Sequence, residues 1–201
     1  MKYNFEKRIF NDSFEKKFSI ICGDSPNDDY KKKFIFQIFK SKFWPTSTIF
    51  GKNYSSIDDS LNLPDEKYIL PQTRNRVNNE IIEPNFEIFK NHRVAILLDT
   101  CQTNINFYSN ILIDAILSES PFMIIAEGNE LDKMKQDGFI TFDFFIDESY
   151  NQESDINKRI KKAKEEMEKI FHIKEDHWAN INQAMEHISE HNRLNLLKKF
   201  E

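Results

Sequence analysis

Glycine is nearly missing from this sequence, with 4 residues in 201. Gly23, Gly51, Gly128 and Gly138 stand too far apart to build a phosphate-cradling loop or a G-x-G-x-x-G turn. Cysteine is scarcer still. Cys22 and Cys101 each follow an apolar run, and two cysteines make no disulfide framework, so a reducing compartment with two thiols is expected. Excess positive charge is also lacking: the formal net charge is −5, which gives no electrostatic reason to expect nucleic-acid binding. No apolar run approaches the length of a bilayer span. The stretch Met1 to Phe10 has no apolar centre of the signal-peptide kind. The expectation is a soluble, cytoplasmic protein without a membrane span.

Phenylalanine is abundant, with 19 copies. Together with much Asn, Ile and Lys, it reads as the imprint of an AT-rich genome rather than as an aromatic binding platform. The basic run Lys31-Lys32-Lys33 follows Asp28-Asp29 and reads as a solvated helix face.

Periodicity gives the fold class. Phe18 to Cys22 is a short apolar run stopped by Gly23-Asp24-Ser25-Pro26, a strand and a turn. Phe34, Ile35, Ile38, Phe39 and Phe43 follow at helical spacing up to Pro45, and Thr48 to Phe50 reads as a second strand. Residues 51–86 are polar and interrupted by Pro64, Pro71 and Pro84, with Tyr68 to Leu70 their only strand-like piece. Val94 to Leu98 is a continuous apolar run, as expected for a strand covered on both faces. A helix over Phe107–Leu117, a strand over Phe122–Ala126, a short helix opened by Gly128 and capped by Gly138, and a strand over Phe139–Ile146 follow. Two helices close the chain. One is N-capped by Ser154, with Lys161/Glu165, Lys162/Glu166 and Lys164/Glu168 pairs, and the last spans about Asp176 to Lys199. This alternation predicts an α/β fold: a parallel, Rossmann-like sheet with flanking helices and a helical tail. We divide it into a short lobe over 1–90, containing the irregular stretch, and a Rossmann-like lobe over 91–201.

In such sheets ligands sit outside the carboxyl ends of the strands. Polar groups fall there at Asp99-Thr100, Glu127-Gly128 and Asp147-Glu148-Ser149-Tyr150, and the helices opening near Asn106 and Gly128 offer free N–H groups to an anion. His187-Ile188-Ser189-Glu190-His191 matches an H-x-x-E-H metallopeptidase pattern. Only ten residues remain for the downstream carboxylate that such a site needs, so two exposed histidines on a surface helix are the expectation. No G-x-S-x-G nucleophile elbow occurs.

Three segments carry a resemblance: Ser120-Pro121-Phe122-Met123-Ile124-Ile125, Gly138-Phe139-Ile140-Thr141-Phe142 and Ile146-Asp147-Glu148-Ser149-Tyr150, with Arg159 downstream. Over roughly residues 93–171 the chain resembles glycosyltransferase-like proteins of phages, large viruses and bacteria. Their order is similar to the C-terminal half of two-lobed, fucosyltransferase-like enzymes. The resemblance implies a transferase that binds a nucleotide sugar at the strand ends, with Asp99, Ser109, Asn110, Glu127 and Gly128 near the donor. Arg74 and Arg76 would then supply cations to its phosphates. It sets Asp147, Glu148, Tyr150 and Arg159 apart as a motif of structural or functional weight. One reading caps the following turn with Asp147 or Glu148 and pairs Arg159 with one of them. The chain departs from the pattern where the resembled proteins open a helix with Ser-Glu-Lys, because here Ser109-Asn110-Ile111 stands. In those proteins the Glu would hold the ribose and the Lys the diphosphate. The departure implies the alternative of a non-catalytic interaction or structural protein, a virion component or homo-oligomer, built on the same fold. The sequence names no catalytic base, no donor nucleotide and no metal.

Overall fold

Ile20, Ile96 and Met123 lie side by side across three parallel strands, and all three are fully buried. The computed structural model describes residues 16–22, 29–50, 68–69, 89, 92–98, 109–126 and 128–199. Strands β1 (Lys16–Cys22), β2 (Ser47–Phe50), β3 (Tyr68–Ile69), β4 (His92–Leu98) and β5 (Phe122–Ile124) form one parallel sheet in the order β3-β2-β1-β4-β5. All seven residues of β4 are buried, the environment that its unbroken apolar run requires. The α/β, Rossmann-like class expected from the alternation is thus the observed one. The division at residue 90 does not separate two sheets, because β1 pairs directly with β4 and both halves share one core.

The chain travels outward from β1 to β3, returns to lie beside β1 as β4, and moves outward again to β5. With the right-handed crossovers that parallel sheets adopt, helices on either side of such a reversal fall on opposite faces. Helix α1 (Asp29–Phe39) links β1 to β2, and α2 (Asn110–Leu117) precedes β5. Two long C-terminal helices complete the layers: α4 (Ile156–Phe171) packs on α1, and α5 (Glu175–Lys198) packs on α2. A short helix between them in sequence and β5, α3 (Glu130–Gln136), ends in a double cap. Gly138 sits at φ +82, its N–H donates to the Lys135 carbonyl at 3.0 Å, and the Phe139 N–H donates to the Met134 carbonyl at 3.0 Å.

The turn from α4 to α5 passes beneath the amino ends of β1 and β4. Lys17 donates to the Phe171 carbonyl at 3.2 Å, and Arg93 pairs with Glu175 while lying 4.9 Å from the Trp178 ring. Burial, with the Arg93 charge next, holds the Lys17 pKa below the usual lysine value. These contacts pack the α4–α5 turn against the amino ends of the two strands. No helix among the described residues is long and apolar enough to cross a membrane.

Four local expectations are corrected. Phe139–Ile146 is not a strand: the N–H groups of Phe145 and Ile146 both donate to the Phe142 carbonyl, as in a helical turn. The buried residues Phe139, Phe142 and Ile146 recur at spacings of three and four, while Ile140 and Phe144 face out. Phe142 packs edge-on to Phe122 of β5 at 4.8 Å, and β5 is the last strand of the sheet among the described residues. The α4 cap is Asp155 rather than Ser154; its Oδ1 accepts from the N–H groups of Asn157 and Lys158 at 2.9 and 3.0 Å. The run Lys31-Lys32-Lys33 is not a solvated face. Lys31 is fully buried on the same stripe of α1 as Ile35 and Ile38, and only Lys33 is exposed. Of the helical ion pairs, Lys161–Glu165 is present at 3.9 Å. Lys162 turns to Glu153, Glu166 to Lys169 and Glu168 to Lys42.

Candidate functional site

The last rung of the ladder is the Ile125 N–H on the Leu97 carbonyl at 2.9 Å, and beyond it the chain must leave the sheet. Arg159 controls how it leaves. From the first turn of α4 its guanidinium donates to the carbonyls of Ala126 and Gly128, the latter at 2.5 Å, and its Nε donates to the Glu153 carbonyl at 2.8 Å. The side chain is buried, and its fixed fork is committed to three backbone acceptors, of which the Ala126 carbonyl is itself buried. Arg159 therefore does not pair with Asp147 or Glu148, as the sequence suggested.

That pairing falls to other residues. Glu148 accepts the Thr141 hydroxyl at 2.9 Å and the Phe142 N–H at 3.0 Å, and it meets Lys135 at 3.0 Å. The Gly-Phe-Ile-Thr-Phe and Asp-Glu-Ser-Tyr segments are thus two halves of one lock. Asp147 caps its own 3-10 turn (Glu148–Gln152) by accepting from the Ser149 N–H at 3.0 Å, and that bond first of all holds its pKa below 3.8. The Asp147 N–H donates to Glu166 of α4 at 2.9 Å, and Lys169 bridges Glu166 at 2.6 Å. The Glu166 hydrogen bond outweighs burial and holds the Lys169 pKa up. For Lys135, burial works against the charge, but Glu148 and Asp143 raise its pKa overall. Tyr150 is buried; burial, reinforced by the Glu148 charge, pushes its phenol far above its usual value, so it stays protonated. Asp147 and Glu148 each hold a backbone N–H of this segment.

On the other side, α5 reads the same segment through its backbone. Asn192 accepts from the Ile140 N–H at 2.8 Å and donates to the Ile140 carbonyl at 2.7 Å, while Asn195 donates to the Asp137 carbonyl at 2.9 Å. His191 Nε2 lies 2.9 Å from the Gly138 carbonyl, so this nitrogen donates and is committed. Among the described residues no group of three His, Cys, Asp or Glu side chains is placed to hold a metal.

The helix openings differ in character. Ser109 is the N-cap of α2, its Oγ accepting from the Leu112 N–H at 3.2 Å, and the first turn carries no acidic residue. Helix α3 opens with Glu130 and Asp132, which disfavour an anion there. The Asp132 carboxylate accepts from Gln152 at 3.1 and 3.2 Å. Glu130 is almost wholly buried, and its Oε2 has no hydrogen-bond partner.

Of the residues singled out from sequence, Ser109, Asn110 and Gly128 fall at the carboxyl edge of β4 and β5, where Asn110 is the first residue of α2. Asp99, Glu127, Arg74 and Arg76 lie outside the described residues. Glu130 and Lys31 were missed. The first hides inside Glu-Leu-Asp-Lys, an ordinary acidic helix opening, and the second hides inside a lysine run. No protein-family model, no curated protein and no solved structure matches this chain.

Proposed function

We propose that this chain is a glycosyltransferase-like domain that takes a nucleotide sugar at the carboxyl edge of its sheet, beside the reversal between β1 and β4. The strand order carries the reading, because the crevice at such a reversal is where open α/β sheets bind nucleotides. The donor phosphates belong at the first turn of α2, which has free N–H groups and no acidic residue, rather than at α3. Lys31, in the first turn of α1 across the reversal, is the cation we assign to them, in addition to Arg74 and Arg76. Asp99, Asn110 and Glu127 flank that region in sequence. Asp147, Glu148, Tyr150 and Arg159 then act as scaffold, not as acids or bases. A cytoplasmic setting in a phage or virus host goes with the resemblance.

A second reading is favoured by two observations: Glu148 and Arg159 are bonded inward, and Asn110-Ile111 replaces the Glu-Lys of the resembled enzymes. On that reading the fold serves a non-catalytic interaction or structural role, with a protein partner or a second copy. A thermal-shift screen against UDP-, GDP-, CMP- and ADP-sugars, with and without manganese, separates the two. A ligand at 100 times its Kd adds about 2.7 kcal/mol of stability. A shift with one nucleotide class supports the first reading. No shift with any of them, on protein that sediments as a homo-oligomer, supports the second.

A further inference from the structure

We infer that Glu130 is the residue that reads the hydroxyl groups of the bound ligand, an inference that rests on the nucleotide-sugar reading above. The side chain is 5% exposed, and its Oε2 is buried with nothing to accept from. Burying a carboxylate oxygen in that state costs free energy that a solvent-facing rotamer would avoid. The neighbouring carboxylates are treated differently by the same fold. Glu148 takes Thr141, Phe142 and Lys135, and Glu166 takes the Asp147 N–H on Oε1, while its Oε2, likewise without a hydrogen bond, lies 2.6 Å from the Lys169 ammonium. Glu130 is left with a vacant acceptor at the carboxyl edge, two residues beyond Gly128.

The surroundings define what fits. Arg159 already occupies the carbonyls of Ala126 and Gly128, so the backbone there is fixed and cannot swing to satisfy the carboxylate. Gly128 makes room for it: a Cβ at that position would stand 2.3 Å from Glu130 Oε1. An acceptor-only group beside Asp132 repels phosphate and favours a neutral donor. A vicinal pair of hydroxyls supplies two such donors to the two carboxylate oxygens, and the charge strengthens each bond. Ribose and a transferred hexose both carry that diol.

The test titrates wild type, Glu130→Gln and Gly128→Ala calorimetrically with UDP-glucose, GDP-mannose and ADP-glucose. The matching nucleoside diphosphates and their 2′,3′-dideoxy forms complete the panel. The ligand-free Tm of each protein is measured alongside. Glu130→Gln removes the charge in place, whereas Gly128→Ala keeps the charge and displaces it. Both variants are expected to weaken binding about tenfold or more, and Glu130→Gln is expected to raise the ligand-free Tm. A loss that persists with the nucleoside diphosphate and vanishes with its dideoxy form assigns the ribose. A loss confined to the sugar-bearing ligand assigns the sugar. Wild-type affinity in both variants overturns the role of Glu130 and leaves the nucleotide-sugar reading intact. If wild type binds nothing in the panel, the nucleotide-sugar reading fails and the inference about Glu130 fails with it. A lower ligand-free Tm for Glu130→Gln makes the residue structural and overturns the inference.

Discussion

The guanidinium of Arg159 donates to the carbonyl of Gly128 at 2.5 Å, so the first turn of α4 fixes where the chain leaves β5. The same side chain holds Ala126 and Glu153. Replacing it with Met would leave three backbone carbonyls without a donor. We expect a loss of about 3 kcal/mol or more, read by denaturant unfolding. Lys should recover only part of this, because one ammonium on a flexible stem does not reproduce the planar fork.

Asn192 makes a two-way bond with the backbone of Ile140 from the buried side of α5. Asn192→Asp removes the donor to the Ile140 carbonyl and sets a carboxylate against it. The expected cost is about 2–3 kcal/mol. For a chain of this length that lowers Tm by about 4–12 °C in calorimetry. Asn192→Ala should cost less, since it leaves no charge behind.

Asp155 gives a pH dependence whose sign follows from its cap. The N–H of Lys158 first of all, and that of Asn157, hold its pKa below 3.8 in the folded chain. Its contribution is therefore fully present above the ordinary aspartate pKa and is lost as pH falls through the lower folded value. Asp147 titrates in the same direction. Asp155→Asn keeps an acceptor at the cap and removes the titration. Unfolding curves from pH 7 to pH 2 should show a shallower acid limb for this variant than for wild type.

Lys31 is the charged group that our reading places against the donor phosphates. Lys31→Met fits the apolar stripe it shares with Ile35 and Ile38. The variant should bind nucleoside diphosphates about tenfold or more weakly. Circular dichroism should show the same helix content as wild type. Unchanged affinity would return the phosphates to Arg74 and Arg76.

Much of the architecture was legible because each buried strand is an unbroken apolar run, as at Val94 to Leu98, and each long helix shows a clear stripe. The segment Phe139–Ile146 misled because aromatic and β-branched residues suggest a strand, whereas its burial recurs at three and four residues. Arg159 stood out in sequence, but its partners did not, because backbone carbonyls leave no trace in residue identity. Lys31 was misread for a related reason: charge alone does not say which turn of a helix faces the sheet. Glu130 had no signal at all, since burial of a carboxylate oxygen without a hydrogen bond leaves no trace in residue identity.

The central claim is that a nucleotide sugar sits at the carboxyl edge, between the first turn of α2 and Glu130. It is tested most directly by backbone amide NMR during titration with the nucleotide sugar that gives the largest thermal shift. The account predicts saturable shifts at Asn110, Ile111, Gly128 and Glu130, and none at Lys17, Arg93 or Glu175 at the amino end. Shifts confined to that amino end, or no shift at any residue, would contradict it.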